Sequence, residues 1–189
     1  MKAAPGGDGA FTLEHLLEGV RDGVEHAGWV LSGLQKTTST EFEGRWAGDS
    51  TRSAYLFFHR PDLPEAVSLE AFLDESSRGL KGNVSLVVEG PDLSGIGPIP
   101  PFLSRVAGAA RDTLPEGYRT PLTLRLALRD SGEEPGEASI QFRFKLPFPR
   151  TAVEAGRSAI SALSSAGVTA FEQLLERPEV AELLPPVVE

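Results

Sequence analysis

Three histidines are the side chains best suited to proton transfer or metal ligation: His15, His26 and His59. His15 and His26 lie eleven residues apart on a segment of helical periodicity. At 1.5 Å of rise per residue that is about 16 Å, too far for one metal ion within a chain. His59 stands just before Arg60-Pro61, at the end of a strand-like run. Carboxylates come as neighbours, Asp74 with Glu75 and Glu133 with Glu134. Paired-acid catalysis needs two carboxyls facing each other across a cleft, with their pKa values driven apart. Adjacent acids in turns and at helix ends are ordinarily solvated instead.

The nucleophile elbow, the Walker loop and the zincin helix are all missing. The calcium pattern D-x-D-x-D-G is missing too. "GPDLSGIG", residues 90–97, is glycine-rich but lacks the following Lys-Ser/Thr and runs into prolines. There is no cysteine, which excludes disulfides, thiol catalysis and cysteine-ligated metal. No cofactor, metal site or catalytic residue is expected. An enzyme would have to assemble its site from scattered acids and His59.

Recognition chemistry is more visible. Residues 122–146 read "LTLRLALRDSGEEPGEASIQFRFKL". Period two puts Leu122, Leu124, Leu126 and Leu128 on one side of the first arm, and Ile140, Phe142, Phe144 and Leu146 on the same side of the second. At roughly 1.5–3 kcal/mol per fully buried large side chain, this hairpin is a main contributor to the core. The other side carries Arg125, Arg129, Arg143 and Lys145, in a chain of net charge -9. A turn centred on Glu134 sets Arg125 across from Arg143, and opposed like charges cost some tenths of a kcal/mol, on the order of 0.2–1.

Three accounts of this basic face compete. It is solvated; or an acidic helix of this chain or of a second subunit covers it; or a separate anionic partner binds it. The first helical segment offers Glu14, Glu18, Asp22 and Glu25, and the last offers Glu172 and Glu176. Nucleic acid is not expected. The low pI of about 4.9 repels it, and no aromatic residue interleaves with the cations to stack bases. The apolar loop around Ile96, Ile99 and Phe102 has two readings, a plug for the end of the core or a stiff contact for a partner. Trp29, Trp46 and Tyr55 are either core aromatics or the lining of a ligand pocket.

The elements that must position these residues follow from periodicity and punctuation. The 189 residues are enough for a single α+β domain over 11–184, with loose tails at 1–10 and 185–189. Leu13, Leu16, Leu17, Val20, Val24, Ala27, Leu31 and Leu34 fall on one helical stripe, so a helix is expected from Thr12 toward Gln35. Its glycines make it dependent on packing and liable to bend or break near Gly28. Strands are expected over 37–46, 52–59 and 83–90 and in the two hairpin arms. Helices are expected over 68–78, capped by Ser68, over 102–113 and over 150–176, with a short turn after Pro178. The absence of regular βαβ alternation argues against a parallel sheet. An antiparallel sheet of about five strands, packed against N- and C-terminal helices, is the expected fold.

No apolar run reaches the roughly 20 residues needed to span a bilayer, and the N-terminus lacks the apolar core of a signal peptide. A cytoplasmic location is the expectation. The Ala, Gly, Arg and Leu usage suggests a bacterium with a GC-rich genome.

Residues 83–176 hold a strand, "NVSLVVEG", a "GPIP" loop and helix, a hairpin ending in "LPFP", and the long helix "TAVEAGRSAISALSSAGVTAFEQLLE". Preceded by a helix and a hairpin, this order resembles the type III secretion chaperone-like α+β superfamily. The resemblance implies a twisted antiparallel sheet against helices, a tendency to dimerise, and binding of extended client segments on apolar patches without chemistry. It assigns no individual residue. The functional expectation is therefore a chaperone-like or adaptor module that binds a protein partner or itself, using a sheet face or the apolar loop. The alternative is a small-molecule or lipid-binding protein with an apolar pocket between the sheet and the C-terminal helix.

Overall fold

The computed structural model describes residues 11–39, 51–115, 123–130 and 138–184, with the backbone alone for 39, 51, 123–130 and 138–140. The tails expected at 1–10 and 185–189, Trp46, and the hairpin turn around Glu134 lie outside the described residues.

The protein is an α+β fold with one antiparallel sheet and helices at its N- and C-terminal ends. The elements in order are α1 (Leu13–His26), β1 (Val30–Ser39), β2 (Thr51–His59), β3 (Val67–Ser76), β4 (Gly79–Glu89), α2 (Ile99–Thr113), β5 (Thr123–Asp130), β6 (Ala138–Pro147), α3 (Arg150–Ala155), α4 (Arg157–Leu175) and α5 (Pro178–Ala181). The strand order is β1-β2-β3-β4-β6-β5. Four strands form a meander, and the β5–β6 hairpin joins it through β6.

Several elements differ from the sequence expectation. The first helix stops at His26, and Gly28 takes φ +90°. The chain then turns straight into β1, seven residues ahead of the strand expected at 37. The segment 68–78 is a strand, not a helix. Val67, Leu69, Ala71 and Leu73 are buried on one side of it, and the residues between them point the other way. The same letters also fit helical spacing, and pairing with both β2 and β4 settles the matter. This is the sixth strand. Gly79, with φ +103°, sits where the tight turn into β4 requires it. The long C-terminal helix is broken at Gly156, φ +94°, into α3 and α4. The helix after the apolar loop starts at Ile99, with Pro100 and Pro101 in its first turn, where missing N–H groups cost nothing.

One continuous core lies between the sheet and the helices. It unites Leu16 and Val20 of α1, Leu56, Leu69, Leu86 and Phe144 of the sheet, Phe102 of α2, and Ile160 and Phe171 of α4. Gly19 and Gly23 let α1 meet α4 closely. A Cβ on Gly23 would lie 2.2 Å from the Ser161 carbonyl oxygen, and one on Gly19 would lie 2.9 Å from that of Arg157. Ion pairs tie this layer together. Arg157 bridges Glu18 and Asp22, each at 2.6 Å. Arg52 joins Glu14 to Glu75, and Glu172 takes both Arg60 and the indole N–H of Trp29. Among the described residues no helix is long and apolar enough to cross a membrane.

Candidate binding surface

The side of the sheet that faces away from this core is the candidate site. Val87 marks it: the residue is fully buried but does not belong to the core cluster. Register assigns the rest. Tyr55, Phe72 and Asn83 are successive cross-strand neighbours on β2, β3 and β4. One row along stand Phe57, Glu70, Ser85 and Lys145, and beyond them Ser68, Val87 and Arg143.

These rows divide the open face into two territories. Toward the β1 edge it is aromatic. Tyr55 and Phe57 are 38% and 36% exposed, Val30 is 46% exposed, and the rings of Tyr55 and Phe72 are 4.9 Å apart, tilted by 44°. Phe57 leans over Gly33, its Cδ2 3.3 Å from the point a Cβ there would occupy. Among the described residues five large hydrophobic side chains are exposed, and Val30, Leu34, Tyr55 and Phe57 are all on β1 and β2. Scattered exposed hydrophobics are ordinary, but a cluster on neighbouring strands marks a contact surface. Leu34 belongs to the opposite side of the sheet by its register with Leu56, at the uncovered edge.

Toward the middle of the sheet the face is polar and closed. Arg143 Nη1 reaches diagonally across β4 to Glu70 Oε2 at 2.6 Å. Its Nη2 donates to Gln141 Oε1 at 3.3 Å, and Gln141 Nε2 donates to Glu89 at 3.0 Å. Ser53 donates to Asp74 at 2.8 Å, and Lys81 approaches the same carboxylate at 3.3 Å. The stem of Arg143 lies directly opposite Val87 and supplies apolar surface there. A depression of about 160 Å³ opens at the boundary of the two territories, lined by Tyr55, Phe57, Glu70, Phe72, Asn83 and Arg143.

The structure separates the residues singled out in the sequence. Arg143 and Lys145 are on the open face, Arg143 paired and Lys145 exposed. Arg125 stands directly opposite Arg143 in register, and Arg129 stands opposite Ser139. Ile99 is 41% exposed at the start of α2, and Ile96 packs against the core. Phe102 is fully inside, edge-on to Phe142 with the Arg105 guanidinium over its ring. It serves the core and offers no surface to a partner. Trp29 is likewise buried.

Five of the six acids that seemed available to cover the cations are engaged elsewhere. Glu14, Glu18 and Asp22 pair with Arg52 and Arg157, Glu25 pairs with Arg21, and Glu172 pairs with Arg60. The partner of Arg143 is Glu70, hidden in the segment that reads as a helix. Tyr55 and Phe57 were visible as alternate residues of a strand, but nothing in the sequence says which side of β2 stays uncovered.

The histidines do not converge. His15 accepts from the Thr12 amide at 3.1 Å in the first turn of α1. His26 borders a shallow groove between α1 and α4 with Asp22 and Arg157. His59 ends β2, paired with Val30. Among the described residues no group of three or more His, Asp or Glu is placed to hold a metal ion. Between the sheet and α4, Leu86, Phe144, Val168 and Phe171 have no accessible surface, as closely packed side chains do. No protein-family model, curated protein or solved structure matches the chain.

Proposed function

We propose that the protein is a non-catalytic, chaperone-like binding module that receives a segment of a partner protein on the open face of its sheet. One observation carries this reading. The aromatic patch of Val30, Tyr55, Phe57 and Phe72 is left uncovered beside a sheet whose other face already holds the whole core. Association that removes such a patch from water is favourable at about 25 cal/mol per Å² of apolar surface. The polar half of the face supplies direction, because ion pairs and amides reject partners that leave them unmatched. The chaperone-like class rests on the resemblance in order of elements over residues 83–176.

The test is a selection of random twelve-residue displayed peptides on the full-length protein, with the Tyr55→Ser, Phe57→Ser double variant as the comparison. Peptides that bind the native protein and lose at least about tenfold on the variant, on the order of 1.4 kcal/mol, support the reading. Enriched peptides that bind both proteins equally would sink it, and so would a selection that enriches none.

A further inference from the structure

We infer that the bound segment carries an acidic side chain about four residues from its apolar anchor, and that this acid seats on Lys145. This rests on the binding reading above and names the chemistry of the partner at the same face.

Register sets the spacing. Phe57, Glu70, Ser85 and Lys145 form one row across β2, β3, β4 and β6. Three inter-strand steps of about 4.8 Å put Lys145 about 14 Å from Phe57. An extended chain rises about 3.3 Å per residue, so about four residues cover that span. Residues an even number apart in an extended chain also point to the same side. A segment laid across the strands, with an apolar side chain on Tyr55 and Phe57, thus brings a second side chain over Lys145. The floor between them is low. Ser85 is 1% exposed and donates to Asn83, and Glu70 is held by Arg143.

The ion pairs set the sign. The acids of the described open face are Glu70, Asp74 and Glu89, and each is engaged. Glu70 pairs with Arg143, Asp74 meets Ser53 and Lys81, and Glu89 accepts from Gln141. Glu14, Glu18, Asp22, Glu25 and Glu172 are paired on the helix side of the sheet. Lys145 is exposed, and among the described residues no carboxylate pairs with it. On β5, Arg125 and Arg129 hold register positions on this same face, opposite Arg143 and Ser139. Basic residues therefore gather at one end of the face and aromatic ones at the other. An acid of the partner completes the pair that the chain leaves open at Lys145, and a partner cation there meets repulsion.

The net charge of -9 works the other way at long range, since it attracts basic ligands. At 0.1 M salt, charges more than about 10 Å away are screened, so a preference for acid reports the local cation. A second copy is the weaker occupant, because two chains of net charge -9 repel one another.

The experiment is a titration of ¹⁵N-labelled full-length protein with three glycine–serine peptides, each with one central phenylalanine. The first carries glutamate four residues to either side, the second glutamine at those places, and the third glutamate two residues to either side. Symmetric placement covers both chain directions. The first is expected to shift the backbone signals of Phe57 and Lys145. It should bind about threefold tighter than the second at about 0.1 M salt, as one exposed ion pair gives. The third should bind no tighter than the second, because its acids fall near Glu70. In Lys145→Gln, and in the native protein at high salt, the gain of the first peptide should fall toward one. Equal affinities for the first two peptides, a gain that survives Lys145→Gln, or no shifts with any peptide would overturn the inference. So would a dimer in light scattering that Lys145→Gln dissociates, since a second copy would then occupy the cation. If displayed peptides still depend on Tyr55 and Phe57 in those cases, the binding reading stands and only the acid falls.

Discussion

Leu56 and Phe58 have no accessible surface, while Tyr55 and Phe57, their neighbours along β2, are more than a third exposed. The two faces of one strand thus meet opposite environments. On the helix side, packing is collective: each side chain touches many others, and burial is non-directional. On the open side, interactions are few and individual, Arg143 with Glu70, Asp74 with Ser53, Phe57 over Gly33. Stability therefore resides on one face, and the specific, addressable contacts on the other.

Substitutions should break this comparison unequally. The largest effect belongs to the core face. Phe144→Ala should cost about 3–5 kcal/mol, read as a lower midpoint in chemical denaturation; a loss under about 1 kcal/mol would mean that this face is not the closed core. Next comes the helix layer. Gly23→Ala should destabilise by about 1–3 kcal/mol through overpacking against Ser161, despite the better helix propensity of alanine. Gly108→Ala, on α2 with nothing within 4 Å of the added carbon, should instead stabilise by about 0.5–1 kcal/mol. Opposite signs at two helical glycines would isolate close approach as the cause.

On the open face, a double-mutant cycle of Glu70→Gln and Arg143→Met should give a coupling of about 1–2 kcal/mol. This is more than a surface pair and less than a fully buried one, since both side chains are about a quarter exposed, at 23% and 24%. Arg143→Glu should weaken the sheet itself, so any loss of association in that variant must be read against its stability. Tyr55→Ser or Phe57→Ser should shift stability by less than about 1 kcal/mol while weakening peptide capture. A large stability loss there would make the aromatic patch part of the fold.

The smallest effect is on the acid side. The backbone amide of Glu14 and the Arg52 guanidinium hold the Glu14 carboxyl below its ordinary 4.5. Arg60 lowers Asp62, and Ser94 lowers Asp92, both from 3.8. A carboxyl with a depressed folded pKa stabilises the fold above its unfolded value, and that contribution is lost as pH falls through the folded one. Denaturation midpoints should thus be level above about pH 5 and decline below about pH 4.5. Glu14→Gln should flatten part of that decline, and an unchanged slope would remove Glu14 from the account.

The hairpin was legible to the level of register. Alternation of Leu and Phe with Arg and Lys, and a turn around Glu134, set Arg125 against Arg143, and β5 pairs with β6 in that way. The first helix was legible only in part: a break near Gly28 was expected, but the stripe was read on toward Gln35, where the chain is strand β1. The segment 67–76 was not legible. Leu69, Phe72 and Leu73 satisfy helical spacing, and Leu69, Ala71 and Leu73 satisfy strand spacing, so local preference is divided. Hydrogen bonds from β2 on one side and β4 on the other decide it, and both partners are distant in the chain or follow later.

The sequence by itself determined the α+β class, the missing cysteine chemistry and the pairing of the basic hairpin. Each of these depends on residue types or on spacing within one element. Only the tertiary structure decided that Glu70 neutralises Arg143, that Phe102 goes inside, and that Tyr55, Phe57, Phe72 and Asn83 surround one depression. Those facts depend on which side of a sheet the helices cover and which strands lie adjacent, and long-range packing sets both.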